Sequence, residues 1–93
     1  MAIVVRTNGH VESVSPLNGT DFLMEEIKTL IGMPRSQHIQ IVAIDQGQKI
    51  LVCNENAEQR NLGLNKLANL KFNGQISGSI VGDVLICEVG EIK

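Results

Sequence analysis

Seven residues between Asn54 and Lys66 carry the groups best suited to holding a ligand: Asn54, Glu55, Asn56, Arg60, Asn61, Asn65 and Lys66. A side-chain amide donates and accepts hydrogen bonds at once, which suits it to base edges, sugars and carbonyls, while Arg and Lys meet phosphate. Asn also closes turns through bonds to nearby backbone, so the same residues serve as turn punctuation. The ligand reading sends Asn54, Asn56 and Asn65 to base or sugar edges and Arg60 and Lys66 to phosphate, with Glu55 beside them. The turn reading sends the amides to the chain's own backbone. From Gln59 to Gly82 the chain has no acid but carries Arg60, Lys66 and Lys71, and this cationic stretch is either a solvated face or a local anion site.

Other chemistry is harder to assemble. His10, His38, Cys53 and Cys87 are isolated, without the close spacing that marks metal ligands, so neither a metal nor a cofactor is expected. Cys53 and Cys87 end apolar runs and read as free thiols. Ser79 and the two cysteines are the available nucleophiles, and no motif ties either histidine to them as a base. The glycines from Gly74 to Gly82 lack the lysine of a P-loop and the GxGxxG spacing. The expectation is a protein that is not an enzyme.

Composition narrows the classes further. A chain of 93 residues builds one core, so residues 1–93 are one domain. Formal charge of -2 argues against sequence-independent nucleic-acid binding. No apolar run reaches membrane-span length and no signal-peptide pattern opens the chain, so a soluble, cytoplasmic protein is expected. With Phe22 and Phe72 as the only aromatics, the core is aliphatic and small. Association into a homo-oligomer, along a sheet edge or through a shared apolar face, would bury more of it.

The elements that must position these residues follow from periodicity. Residues 2–7 and 10–15 read as a hairpin turning at Asn8-Gly9. Residues 21–31 read as an amphipathic helix capped by Thr20 or Asp21, burying Leu23, Ile27, Leu30 and Ile31 and stopped by Gly32. Residues 38–44 and 49–53 form a second hairpin through Asp45-Gln-Gly-Gln48. A short helix falls between Leu62 and Leu70, and residues 75–87 read as a long strand interrupted by Gly78 and Gly82. The fold class is α+β: a mainly antiparallel sheet of about five strands, one amphipathic helix on it and a second short helix.

The order of these elements, Leu30-Ile31-Gly32 leading into Ile39-Gln-Ile-Val42, the strand ending Leu51-Val-Cys-Asn-Glu55, the pair Leu64-Asn65, and Ile80-Val-Gly-Asp-Val-Leu-Ile86 together resemble a family of small uncharacterised domains found in phage and plasmid proteins. The likeness covers most of the chain. It departs after Gly32, where the family has a second glycine and this chain has Met33-Pro34-Arg35-Ser36-Gln37. The resemblance implies an accessory protein of a mobile element. Small phage proteins that oppose bacterial defence do so, as a class, by occupying a defence protein or by sequestering its nucleotide-derived signal.

Two expectations result. The first is a non-enzymatic, oligomeric protein that binds and sequesters a small anionic, nucleotide-derived immune signal through Asn54, Glu55, Asn56, Arg60, Asn65 and Lys66. The second is an interaction module that inhibits a host defence or regulatory protein through an exposed sheet edge.

Overall fold

A computed structural model describes residues 2–34, 36–55, 63–72 and 80–92. Five strands, β1 (Ala2–Val5), β2 (Val11–Val14), β3 (Ile39–Ile44), β4 (Lys49–Asn54) and β5 (Val84–Glu88), form one sheet in the order β2-β1-β5-β4-β3. Every pairing is antiparallel. Two helices, α1 (Met24–Leu30) and α2 (Lys66–Lys71), complete the expected α+β architecture.

Strand alternation divides the core. Ala2, Val4, Ile50, Val52, Leu85 and Cys87 project to one face and pack with Phe22, Ile27, Ile31 and Met33 from α1 and its flanks. Their neighbours Val5, Leu51, Val84 and Ile86 project to the other face and meet Ala68 of α2 and Phe72 just after it. The three central strands, β1, β5 and β4, are thus apolar on both sides. A period-2 pattern cannot show which of two apolar faces receives which helix. Full burial of a side chain such as Ile27 or Leu85, 1% and 0% exposed, contributes about 2–3 kcal/mol each.

The first hairpin turns differently from the expected two-residue loop. The Arg6 N–H donates to the His10 carbonyl at 2.8 Å, leaving Thr7, Asn8 and Gly9 as a three-residue loop. Of these only Gly9 is left-handed (φ 88), as such loops require at their last position.

The start of α1 is a second correction. The expected caps Thr20 and Asp21 lie outside the helix, whose N-cap is Leu23. Asn18 Oδ1 accepts the Thr20 and Asp21 N–H groups, both at 2.9 Å, and the Phe22 N–H is held by the Glu91 carbonyl. Those residues are therefore committed elsewhere. Glu26 caps from within instead, accepting the Leu23 N–H at 3.3 Å and the Leu17 N–H at 2.7 Å. In consequence Leu23, the first member of the expected buried stripe, is 46% exposed. The helix ends as its glycine demands: Gly32 is left-handed (φ 69) and the Met33 N–H returns to the Lys28 carbonyl at 2.9 Å.

The last strand is shorter than the pattern suggests. It spans Val84–Glu88, preceded by a single bridge between Leu64 and Val81. Gly78 and the rest of 73–79 lie outside the described residues. Gly82 is left-handed (φ 83) and separates the bridge from the strand.

Candidate functional site

The antiparallel order collects several polar groups at one end of the sheet, where β1 and β4 finish and β5 begins. Arg6 organises the side covered by α1. Its guanidinium donates to Asp83 Oδ2 at 3.0 Å, Glu12 Oε1 at 3.2 Å and the Leu30 carbonyl at 2.7 Å. Asp83 in turn accepts the Thr7 N–H at 2.9 Å. One cation thus ties β1, β2, the entry to β5 and the carbonyl end of α1, where the helix dipole favours positive charge. Partial burial pulls the Arg6 pKa down, but its bonds to Asp83 and Glu12 outweigh that and raise it above its ordinary value. This cluster is closed on itself and serves as a brace.

Asn65 braces the opposite face. It is fully buried and caps α2, its Oδ1 accepting the Ala68 N–H at 3.1 Å, while Nδ2 donates to the carbonyls of Val5 and Gly82, both at 2.9 Å. One turn on, Asn69 donates to the carbonyls of Asn65 and Ile80 and accepts the Ile80 N–H at 3.0 Å. The two amides staple α2 to the segment entering β5. Buried backbone groups without such partners cost about 1–3 kcal/mol each, and an amide with both donor and acceptor at the required spacing satisfies several at once.

The remaining residues of the expected ligand loop separate into committed and open groups. Asn54 is buried and donates to Gln37 Oε1 at 2.8 Å. Glu55 is exposed, with its N–H bonded to the His38 carbonyl. Lys66 is exposed on the first turn of α2. Asn56, Arg60 and Asn61 lie outside the described residues. Asn65 therefore follows the turn reading of its chemistry and not the ligand reading, because none of its side-chain polar atoms faces solvent.

The thiols are equally occupied with structure. Cys53 belongs to the α2 side of the sheet and Cys87 to the α1 side, so the sheet itself lies between them and both are free. Burial raises the Cys53 pKa. Burial, with Glu91 and Glu88 nearby, pushes the Cys87 thiol up to about 11. Neither is poised as a nucleophile at neutral pH. Among the described residues no three His, Cys, Asp or Glu side chains cluster as a metal site, and no buried side-chain N or O atom lacks a hydrogen-bond partner. Among them too, no helix is long and apolar enough to cross a membrane.

What the surface does offer is a groove of about 570 Å³ between α1 and β2, lined by Val14, Leu17, Leu23 and Leu30, with Glu25 and Glu26 also at its wall. Leu17 is 90% exposed. Beside it runs the free side of β2, an edge strand among the described residues. Arg6 pairs with His10 through a backbone hydrogen bond, so in this register His10, Glu12 and Val14 turn their peptide groups toward β1. Val11 and Ser13 turn theirs outward. Sequence reasoning missed this groove because it is built across three segments. Its one local sign was Leu17, an aliphatic residue placed between Pro16 and Asn18-Gly19 where turns are usually polar.

Compared with known proteins, the chain matches no family model, no curated protein and no solved structure.

Proposed function

We propose that this protein acts without catalysis, by binding another protein whose extended segment adds to the edge of β2 and lays apolar side chains into the groove beside α1. The observation that carries this reading is the adjacency of the two features: outward peptide groups on Val11 and Ser13, with no strand partner among the described residues, next to an apolar trough walled by Val14, Leu17, Leu23 and Leu30. Strand addition draws affinity from main-chain bonds and specificity from alternate side chains. The acids Glu25 and Glu26 at the wall favour a segment with basic residues flanking its apolar ones. The resemblance to phage and plasmid domains makes a host defence or regulatory protein the natural source of such a segment.

Sequestration of a small anionic, nucleotide-derived ligand is the second reading. The exposure of Lys66 at the start of α2 favours it, but Asn54 and Asn65 are committed to Gln37 and to backbone. Selection from a random peptide library followed by NMR shift mapping separates the two. Strand addition predicts binders with apolar, base-flanked cores that perturb the amides of residues 11–15 and 23–30, and loss of at least tenfold in affinity for Leu17→Asp with no change in melting temperature. Failure to select any binder, together with a thermal shift from cyclic dinucleotides, would overturn it in favour of sequestration.

A further inference from the structure

The other edge of the sheet has a different character. β3 reads Ile39-Gln-Ile-Val-Ala-Ile44, six residues with no charge, no proline and no glycine. Natural edges are blunted by charge, proline, bulges or shortness, and β3 carries none of these devices. Its ladder to β4 is continuous from Ile39↔Asn54 to Ile44↔Lys49. Among the described residues no strand pairs with its outer side.

Backbone polarity along β3 is set by one bond. The Glu55 N–H donates to the His38 carbonyl at 3.0 Å, which fixes the even-numbered residues Gln40, Val42 and Ile44 as those facing β4 in this register. Ile39, Ile41 and Ala43 then point their N–H and C=O groups outward. The side chains of the same three residues lie on the α1 face, where Ile41 is 49% exposed and Ala43 is exposed.

We infer that β3 pairs antiparallel with β3 of a second copy of this chain, joining two sheets into one of ten strands about a two-fold axis at Ile41. A two-fold axis perpendicular to the sheet keeps each face on its own side, so odd residues must meet odd residues. Centring on Ile41 sets Ile41 against Ile41, and Ile39 against Ala43 on both sides of the axis. All three of these pairs carry outward peptide groups and each exchanges two hydrogen bonds. Centring one residue later would bring Asp45 into the ladder, and its left-handed backbone (φ 50) breaks an extended register. The chosen register opposes no like charges. Each exposed Ile41 is covered by its twin.

Light scattering after size exclusion, over a dilution series, tests the arrangement. The wild type is expected at twice the chain mass, dissociating on dilution. Ile41→Lys and Ile41→Glu alone should each run at the chain mass with wild-type circular dichroism, and mixing the two should restore the doubled mass, because residue 41 faces itself. Ala43→Pro provides a variant that does not depend on charge. The N–H it deletes faces outward, so the fold persists and the dimer is lost, whereas Val42→Pro removes a bond to β4 and lowers the melting temperature. A wild type at the chain mass at every concentration, a dimer that survives Ile41→Lys or Ala43→Pro, or a Lys/Glu mixture that stays monomeric would each overturn the inference.

Discussion

Replacing Asn65 separates a structural amide from a ligand-binding one more sharply than any other single change. Asn65→Ala removes the cap on the Ala68 N–H, worth about 1 kcal/mol. It also takes the donor from the Val5 and Gly82 carbonyls in a site with no solvent exposure, at roughly 1–3 kcal/mol each. Because the three bonds share one side chain the terms overlap, and a loss of about 3–5 kcal/mol is expected. A domain of 93 residues has a total stability of about 5–14 kcal/mol, so the variant should fold with a midpoint far below the wild type in urea. Asn65→Asp is the discriminating partner. Its carboxylate keeps the cap but offers no donor, and it places charge against two carbonyl oxygens in a buried site, so at pH 7 it should lose at least as much as Asn65→Ala. Burial holds the pKa of the introduced carboxyl above its unfolded value, and the neutral acid regains one donor. The stability of Asn65→Asp should therefore rise as pH falls through that raised pKa, opposite to the usual acid denaturation. Urea unfolding followed by circular dichroism at several pH values reads all of this. A loss under about 1 kcal/mol for Asn65→Ala, or an Asn65→Asp variant as stable as wild type at pH 7, would refute the assignment.

Three further outcomes follow from the same geometry. Arg6→Met should destabilise by about 1–2 kcal/mol after allowance for solvent screening, since it leaves Asp83, Glu12 and the Leu30 carbonyl without their shared donor; high salt should shrink the difference without abolishing it. Cys87, buried with its pKa raised to about 11, should resist a thiol reagent at pH 8 until urea unfolds the chain. In the unfolded chain it ionises near its ordinary 9.0, so its contribution to stability is complete below that pH and is lost as pH rises from 9.0 toward about 11. Gln46 adopts φ 60 between Asp45 at φ 50 and Gly47 at φ 86. Gln46→Gly should therefore raise or preserve the melting temperature, while Gln46→Val should lower stability by about 1–2 kcal/mol.

The sheet and its two hairpins were legible because alternation, Asn-Gly and Gly-containing turns act over a few residues. The helix start was not, because Thr20 and Asp21 are held by Asn18 and the following Phe22 by the Glu91 carbonyl, contacts that no local pattern reveals. Asn65 illustrates the limit for function. An amide followed by Lys-Leu-Ala is as good a helix cap as a ligand contact, and its two long-range acceptors, one of them 60 residues away at Val5, decide between the roles. Asn69, which completes the staple, stands one helical turn later, and its partner Ile80, 11 residues away, leaves no local mark in the sequence. The groove needed Val14, Leu17 and Leu30 to meet across a loop, so only the three-dimensional arrangement could show it.

The two edges of this sheet bear on each other. Pairing at β3, if two copies join as inferred, would leave both copies of β2 at the far ends of a ten-stranded sheet. Nine strand spacings of about 4.8 Å put the two grooves roughly 43 Å apart before twist. Because the axis at Ile41 is perpendicular to the sheet, both grooves open on the same face, the one that carries α1. A partner that is itself dimeric or carries repeated segments can then engage both, and the second contact forms at the high effective concentration that tethering provides. Ile41→Lys lies far from β2 and should leave the affinity for a single short peptide unchanged. For the same peptide presented twice on a linker long enough to span the grooves, it should weaken binding by tenfold or more. Equal losses for both presentations would mean that the substitution disturbs the groove itself; no loss for either would mean that the two grooves never act together.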